Sequence, residues 1–201
     1  MRNRIVSLLA LFALAVGPTM AVEINFTSPA FEIGVTSHGT PLTSNFNFAI
    51  GSFGNFTPTA NNTSEWLANF TSLGVTSWDE TFTQYAGTVT LSSNEGAFST
   101  SSQAFVWGYD FTSGSTAEWI LLTNSNWTFP SSSTFDSPTW DVTATGTYTV
   151  VGTIASALGS NPYLQTAAVS SVPEPATLAA LFGAVALGAG LLRRKAHRLA
   201  V

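Results

Sequence analysis

Cysteine is absent from all 201 residues, and between Val22 and Val172 there is no Lys or Arg. The first absence removes disulfides, thiolate metal sites and thiol nucleophiles, so hydrophobic burial and backbone hydrogen bonds must hold the fold. The second removes lysine Schiff bases and the side chains that grip phosphate, nucleic acid and anionic lipid. Histidine is scarce as well: His38 is the one between the ends, and His197 lies near the C-terminus. A serine triad would need His38, and no Gly-x-Ser-x-Gly elbow occurs. Ser37 beside it is no substitute, because chain neighbours on a strand face opposite ways.

What charge there is lies in blocks. The six basic residues are Arg2 and Arg4 at the front and Arg193, Arg194, Lys195 and Arg198 at the back. Ten of the eleven acids sit between Val22 and Val172, so ten acids less zero bases give that stretch −10, which the whole-chain value of −5 hides. Met1 to Ala21 has the form of a secretory signal peptide. Arg2 and Arg4 make a positive start, and Ile5 to Val16 is an apolar run broken only by Ser7. Gly17 and Pro18 then stop the helix, and Thr19-Met20-Ala21 places small residues before a cut, expected after Ala21 by signal peptidase. A run of about 12 residues is too short for the ~20 that span a bilayer.

At the other end, Val172-Pro173-Glu174-Pro175 precedes an uncharged stretch, Ala176 to Leu192, and then Arg193-Arg194-Lys195. At ~1.5 Å per residue the stretch reaches roughly 26 Å, enough for a short transmembrane helix over 176–192. The basic cluster beyond it acts as a cytoplasmic stop, which leaves the large acidic region outside. This three-part tail resembles the PEP-CTERM sorting signal of exported bacterial proteins. The resemblance implies recognition by a membrane exosortase, cleavage near Pro173-Glu174-Pro175, transient residence in the inner membrane, and delivery to the cell surface or an exopolysaccharide matrix.

About 150 residues remain between the two cuts, a usual size for one domain. Period-2 patterns dominate it. Phe46, Phe48 and Ile50 share a face, as do Phe105, Trp107 and Tyr109, and 87–91 and 146–151 repeat the style. Trp119 to Leu122 is a continuous apolar run suited to a strand buried on both faces, and Ser113-Gly114-Ser115 marks a hairpin between the 105–109 and 118–123 runs. One helix of about three turns is expected from Asn62 through Trp66, Phe70 and Leu73 to Gly74, with Glu65 completing a capping box. The expected fold class is therefore all-β, a β-sandwich or jelly-roll ectodomain with one short helix, plus an N-terminal signal helix and the C-terminal transmembrane helix. The expected divisions are signal peptide 1–21, ectodomain 22–154, linker 155–171 and sorting signal 172–201. The segments Ile50-Gly51-Ser52-Phe53, Phe56-Thr57-Pro58-Thr59 and Asn61…Trp66…Phe70 resemble an ectodomain type that recurs in PEP-CTERM proteins, as does Trp107-Gly108-Tyr109 with Glu118-Trp119-Ile120-Leu121. That resemblance implies a shared fold and no reaction.

The chemistry these residues permit is narrow. Asp79-Glu80 is the one adjacent carboxylate pair, and neighbours rarely flank a glycoside from both sides. No catalytic residue is assigned. A structural Ca²⁺ would suit an acid-rich external domain, with Asp110, Asp136 and Asp141 as loop ligands, but no Asp-x-Asp-x-Asp loop is present. Of the six tryptophans, Trp127 and Trp140 lie near prolines and are the two that could stack on sugar. The six Asn-x-Ser/Thr sequons follow from composition. The expectation is a non-enzymatic structural or adhesive surface protein, handled by signal peptidase and exosortase, without nucleic-acid partners. A carbohydrate-binding module for matrix polysaccharide is the alternative, and a glycoside hydrolase the third.

Overall fold

The computed structural model describes residues 21–110, 116–134, 137–156 and 162–170. The signal segment before Ala21, the 113–115 loop, Asp136, and the sorting tail with its 176–192 span lie outside the described residues. No helix among the described residues is long and apolar enough to cross a membrane.

Twelve strands carry the described fold: β1 (Val22–Thr27), β2 (Ile33–Val35), β3 (Asn47–Ser52), β4 (Thr71–Ser77), β5 (Ala86–Leu91), β6 (Gln103–Asp110), β7 (Thr116–Thr128), β8 (Thr139–Asp141), β9 (Thr147–Val151), β10 (Thr153–Ser156), β11 (Pro162–Gln165) and β12 (Ala167–Ser170). A six-stranded sheet runs β12-β7-β6-β3-β4, with β9 also paired to β7. Two three-stranded sheets, β5-β1-β8 and β10-β11-β2, complete the sandwich. Pairing is antiparallel except for β1 with β8 and β11 with β2. The fold is all-β with one short helix, as the alternating patterns imply.

The strands β6 and β7 form the centre, and their alternation divides the core. Ala104, Val106, Ile120 and Leu122 point to one face, where Phe48 and Ile50 of β3 meet Ile24 and Phe26 of β1. Phe105, Trp107, Trp119 and Leu121 point to the other, beneath Phe53 and Trp66. Both faces are covered, which is why Trp119 to Leu122 can be apolar without a break. In register, Trp107 lies opposite Leu121 and Tyr109 opposite Trp119. Gly108 makes this packing possible: a Cβ there would come within 2.6 Å of Ile120 and 2.8 Å of Phe46 and Phe48.

The helix is shorter than its periodicity suggests. A 3₁₀ turn at Thr63–Glu65 leads into α1 (Trp66–Asn69), and Phe70 is already extended as β4 begins. Leu73 belongs to β4, where pairing with β3 outweighs the local helical period. Asn62 makes no capping bond; its Oδ1 accepts instead from Trp66 Nε1 at 2.9 Å and from Thr59 N at 2.7 Å. It pins the one helical tryptophan over the second core.

The stretch 155–171, expected as a linker, contains parts of the sandwich. The strand β11 pairs with β10 and β2, and β12 pairs with β7. Leu164 is fully buried and Val169 packs into the tryptophan core. Such short strands give a faint local signal, and their stability comes from distant partners, β2 more than 100 residues away for β11 and β7 for β12.

Candidate functional site

The point where the domain meets its tail is held by one carboxylate. Glu118 projects from β7 and is almost fully buried. Its Oε1 accepts Ser37 Oγ at 2.6 Å, and its Oε2 accepts Ser37 N at 2.9 Å and the Thr166 hydroxyl. Burial pushes this carboxyl up, but the hydrogen bonds from Ser37 and Thr166, aided by His38, outweigh it and hold it below the usual range. Thr166 N also donates to Val35 O at 3.0 Å. Loop 36–37, β7 and the chain leading into β12 are thereby joined four residues before the described fold ends at Ser170. Ser37 is thus engaged with a glutamate and is not poised on His38.

The residues singled out for ligand binding are not brought together. Trp127 and Trp140 are each 3% exposed and stack on one another at 6.2 Å and 20°, with Phe129 edge-on to Trp140. They are core, and the sugar platform expected of them is corrected accordingly. The parallel pairing of β8 with β1, which carries Trp140 inward, leaves no trace in local sequence. Asp110 ends β6 opposite Glu118, whereas Asp141 ends β8 in another sheet. Asp141 Oδ1 accepts Thr143 N and Oγ1, both at 2.7 Å, closing its own turn. Among the described residues, no three His, Asp or Glu side chains converge as metal ligands. Asp79 and Glu80 likewise serve turns: Asp79 Oδ1 accepts Thr81 N at 2.7 Å, and Glu80 Oε1 accepts Ser44 N at 2.6 Å. That bond from Ser44 holds Glu80 below its usual range.

Sequence reasoning missed Glu32, which reads as one more surface acid. It is 2% exposed, and burial pushes its carboxyl up to about 7, with the Ser28 hydroxyl opposing and the Asp141 charge adding to the rise. The fully buried Tyr85 hydroxyl beside it is raised well above its usual value, by burial first and then by Glu32 and Asp141. Two further surface features stand out. Phe31 is 66% exposed and meets Phe82 at 6.4 Å and 67°, on turns where Phe31 and Thr83 adopt φ of 63° and 44°. A cavity of about 340 Å³ is lined by Phe53, Asn55, Asn69 and Thr71 with glycines and Ala97, and no titratable side chain faces it.

An acidic, base-free sandwich whose last strand runs into a short apolar tail with a basic end defines a class: an exported protein held by a C-terminal membrane anchor before processing. The particular tail is identified directly, because residues 171–195 match the PEP-CTERM protein-sorting motif. The chain is accordingly an exported substrate for exosortase processing. No curated protein and no solved structure matches the chain.

Proposed function

We propose that signal peptidase removes residues 1–21, that exosortase cuts near Pro173-Glu174-Pro175, and that the mature domain serves as a non-catalytic structural or adhesive component of the cell surface or its exopolysaccharide matrix. The observation that carries the adhesive part is the Phe31–Phe82 pair. A bulky residue at φ 63° is strained, roughly 1–2 kcal/mol above an ordinary conformation. Here that strain holds an aromatic ring outward on a surface otherwise rich in Ser, Thr and Asn, which suits contact with another macromolecule. Mass spectrometry of the protein from membrane, surface and medium fractions of its native host tests the processing. The expected form begins near Val22, ends near Pro173 and contains no Lys or Arg; a surface-held form still carrying Arg193 to Arg198 refutes it. Replacing Phe31 and Phe82 by Ser should release the mature protein from the matrix into the medium, and unchanged retention refutes the adhesive role.

A second reading, a module binding neutral matrix polysaccharide, is favoured by the cavity beside Phe53. Its amide and hydroxyl lining suits uncharged sugar hydroxyls. Loss of oligosaccharide binding in an Asn55→Ala, Asn69→Ala variant would support it, and wild-type protein that binds no matrix fragment would dismiss it.

A further inference from the structure

Segment 30–33 is fastened to the sandwich by an unusual anchor. Ala30, Phe31 and Ile33 are exposed, and Glu32 alone turns inward, to 2% exposure. Neither of its carboxyl oxygens has a hydrogen-bond partner among the described residues. The Ser28 hydroxyl favours the charged form without an ordinary hydrogen bond to it. An apolar side chain would seat the segment equally well at every pH. A carboxyl group stays inside comfortably only while it carries a proton, because an unpaired buried carboxylate is among the costliest groups a fold can hold.

Nothing around the segment offers the opposite charge. The Phe82 turn brings Asp79 and Glu80, the chain ahead of β5 brings Tyr85, the end of β8 brings Asp141, and β11 sets Tyr163 opposite Ile33. All are acids, no Lys or Arg exists between Val22 and Val172, and His38 lies beyond β2, where it acts on Glu118. The backbone beside Glu32 is also ready to move. Phe31 has φ 63°, a left-handed conformation that a bulky residue keeps only while its surroundings impose it. Two things impose it: Glu32 seated on one side, and on the other Phe82, whose carbonyl accepts Phe31 N at 2.7 Å and whose ring lies 6.4 Å away.

We propose that Glu32 is a proton-operated latch on the Phe31–Phe82 surface. Protonated, it seats segment 30–33 and holds Phe31 against Phe82. Ionised, it leaves the interior for water and frees the segment while the sheets stay folded. Burial raises the seated carboxyl from 4.5 to about 7, so the hold is fully present below 4.5 and declines as pH rises to about 7. Only the consequence of the latch rests on the adhesive reading given above: contact with the matrix is made in acid and let go in alkali.

Amide hydrogen exchange of the exported protein at pH 5.5 and 8.5, corrected for the intrinsic rate at each pH, tests the latch through the Phe31 N–H. The expected opening constant is about 30-fold larger at pH 8.5, from one proton held with the two values above. At that pH it should exceed those of the β7 amides by about tenfold or more. Glu32→Gln, which has no proton to lose, should give one constant at both pH values; if it does not fold, Glu32→Leu takes its place. A Phe31 amide whose opening ignores pH, or follows it equally in the variant, overturns the proposal. So does a Phe31 amide that opens only together with β7, because the segment would then come free only on global unfolding. Matrix retention is read separately: wild type should detach at pH 8.5 and Glu32→Gln should stay. Retention that ignores pH beside a pH-dependent Phe31 amide leaves the latch standing and counts against the adhesive role.

Discussion

Replacing Trp119 by Ala removes the ring on which the second core is assembled. Trp119 is 0% exposed, lies flat against Trp66 at 5.6 Å and 19°, and meets Trp107 edge-on at 4.8 Å and 80°. Truncating a buried aromatic costs about 3–5 kcal/mol through lost transfer energy and the cavity left behind. Each ring pair adds about 0.5–1.5 kcal/mol beyond buried area, so the upper end of that range applies here. The backbone around the gap is fixed by pairing with β6 and β12, which limits collapse into it. A domain of this size has about 5–15 kcal/mol in all, so the variant should fold but lose a third or more of its stability. Urea unfolding followed by far-UV circular dichroism gives the number, because five other tryptophans complicate fluorescence. With a slope of about 2 kcal/mol per molar, the midpoint should fall by about 2 M. The double variant with Trp66→Ala should cost less than the sum of the two single changes, since both empty one space. A midpoint shift below about 0.3 M, or strict additivity of the pair, would refute the stacked-core reasoning.

Three further outcomes follow from the charges. Glu32 has its folded value raised from 4.5 to about 7, so its contribution is fully present below 4.5 and is lost as pH rises to about 7. In metal-free buffer, Glu32→Gln should match wild type near pH 4.5 and exceed it by about 3 kcal/mol above pH 7; parallel pH profiles would contradict this. Glu118 has the opposite sign: its lowered value gives stability above the usual carboxylate range that is lost as pH falls through the folded value. Glu118→Ala should cost about 3 kcal/mol and speed amide exchange in 166–170 and at Ser37, while unchanged protection there would show the tie to be idle. The ten acids between Val22 and Val172 have no Lys or Arg among them and repel one another, so NaCl should raise the melting temperature until screening saturates near a Debye length of ~10 Å at 0.1 M, and a flat response would show them too dispersed to matter.

What could be read from sequence was whatever depends on near neighbours. The alternation at 105–109 and the unbroken run at 119–122 give the central hairpin of the sheet and its two-sided burial, because strand period and apolar content are local properties. The sorting tail was equally legible, since its parts are contiguous. Long-range pairing hid the rest. Trp140 goes inward because β8 joins β1 across more than 100 residues, and Leu164 is core because β11 joins β2. At Phe70 the periods of helix and strand overlap, and only the pairing of β3 with β4 decides between them. Glu32 carries no local mark at all. Its raised value comes first from burial in the folded sandwich, with Asp141, at the end of β8, adding to the rise.

The position of β12 sets the geometry of the membrane-bound precursor. The sheet ends at Ser170, and only residues 171–175 separate it from the apolar span that begins at Ala176. At no more than ~3.6 Å each, five residues reach at most about 18 Å, while a domain of 150 residues has a radius of gyration near 15 Å. Under the processing proposed above, a precursor anchored from Ala176 would be held on a tether shorter than the domain's own width. The described chain leaves the sandwich at the corner where Ala167–Ser170 pair with Thr116–Trp119.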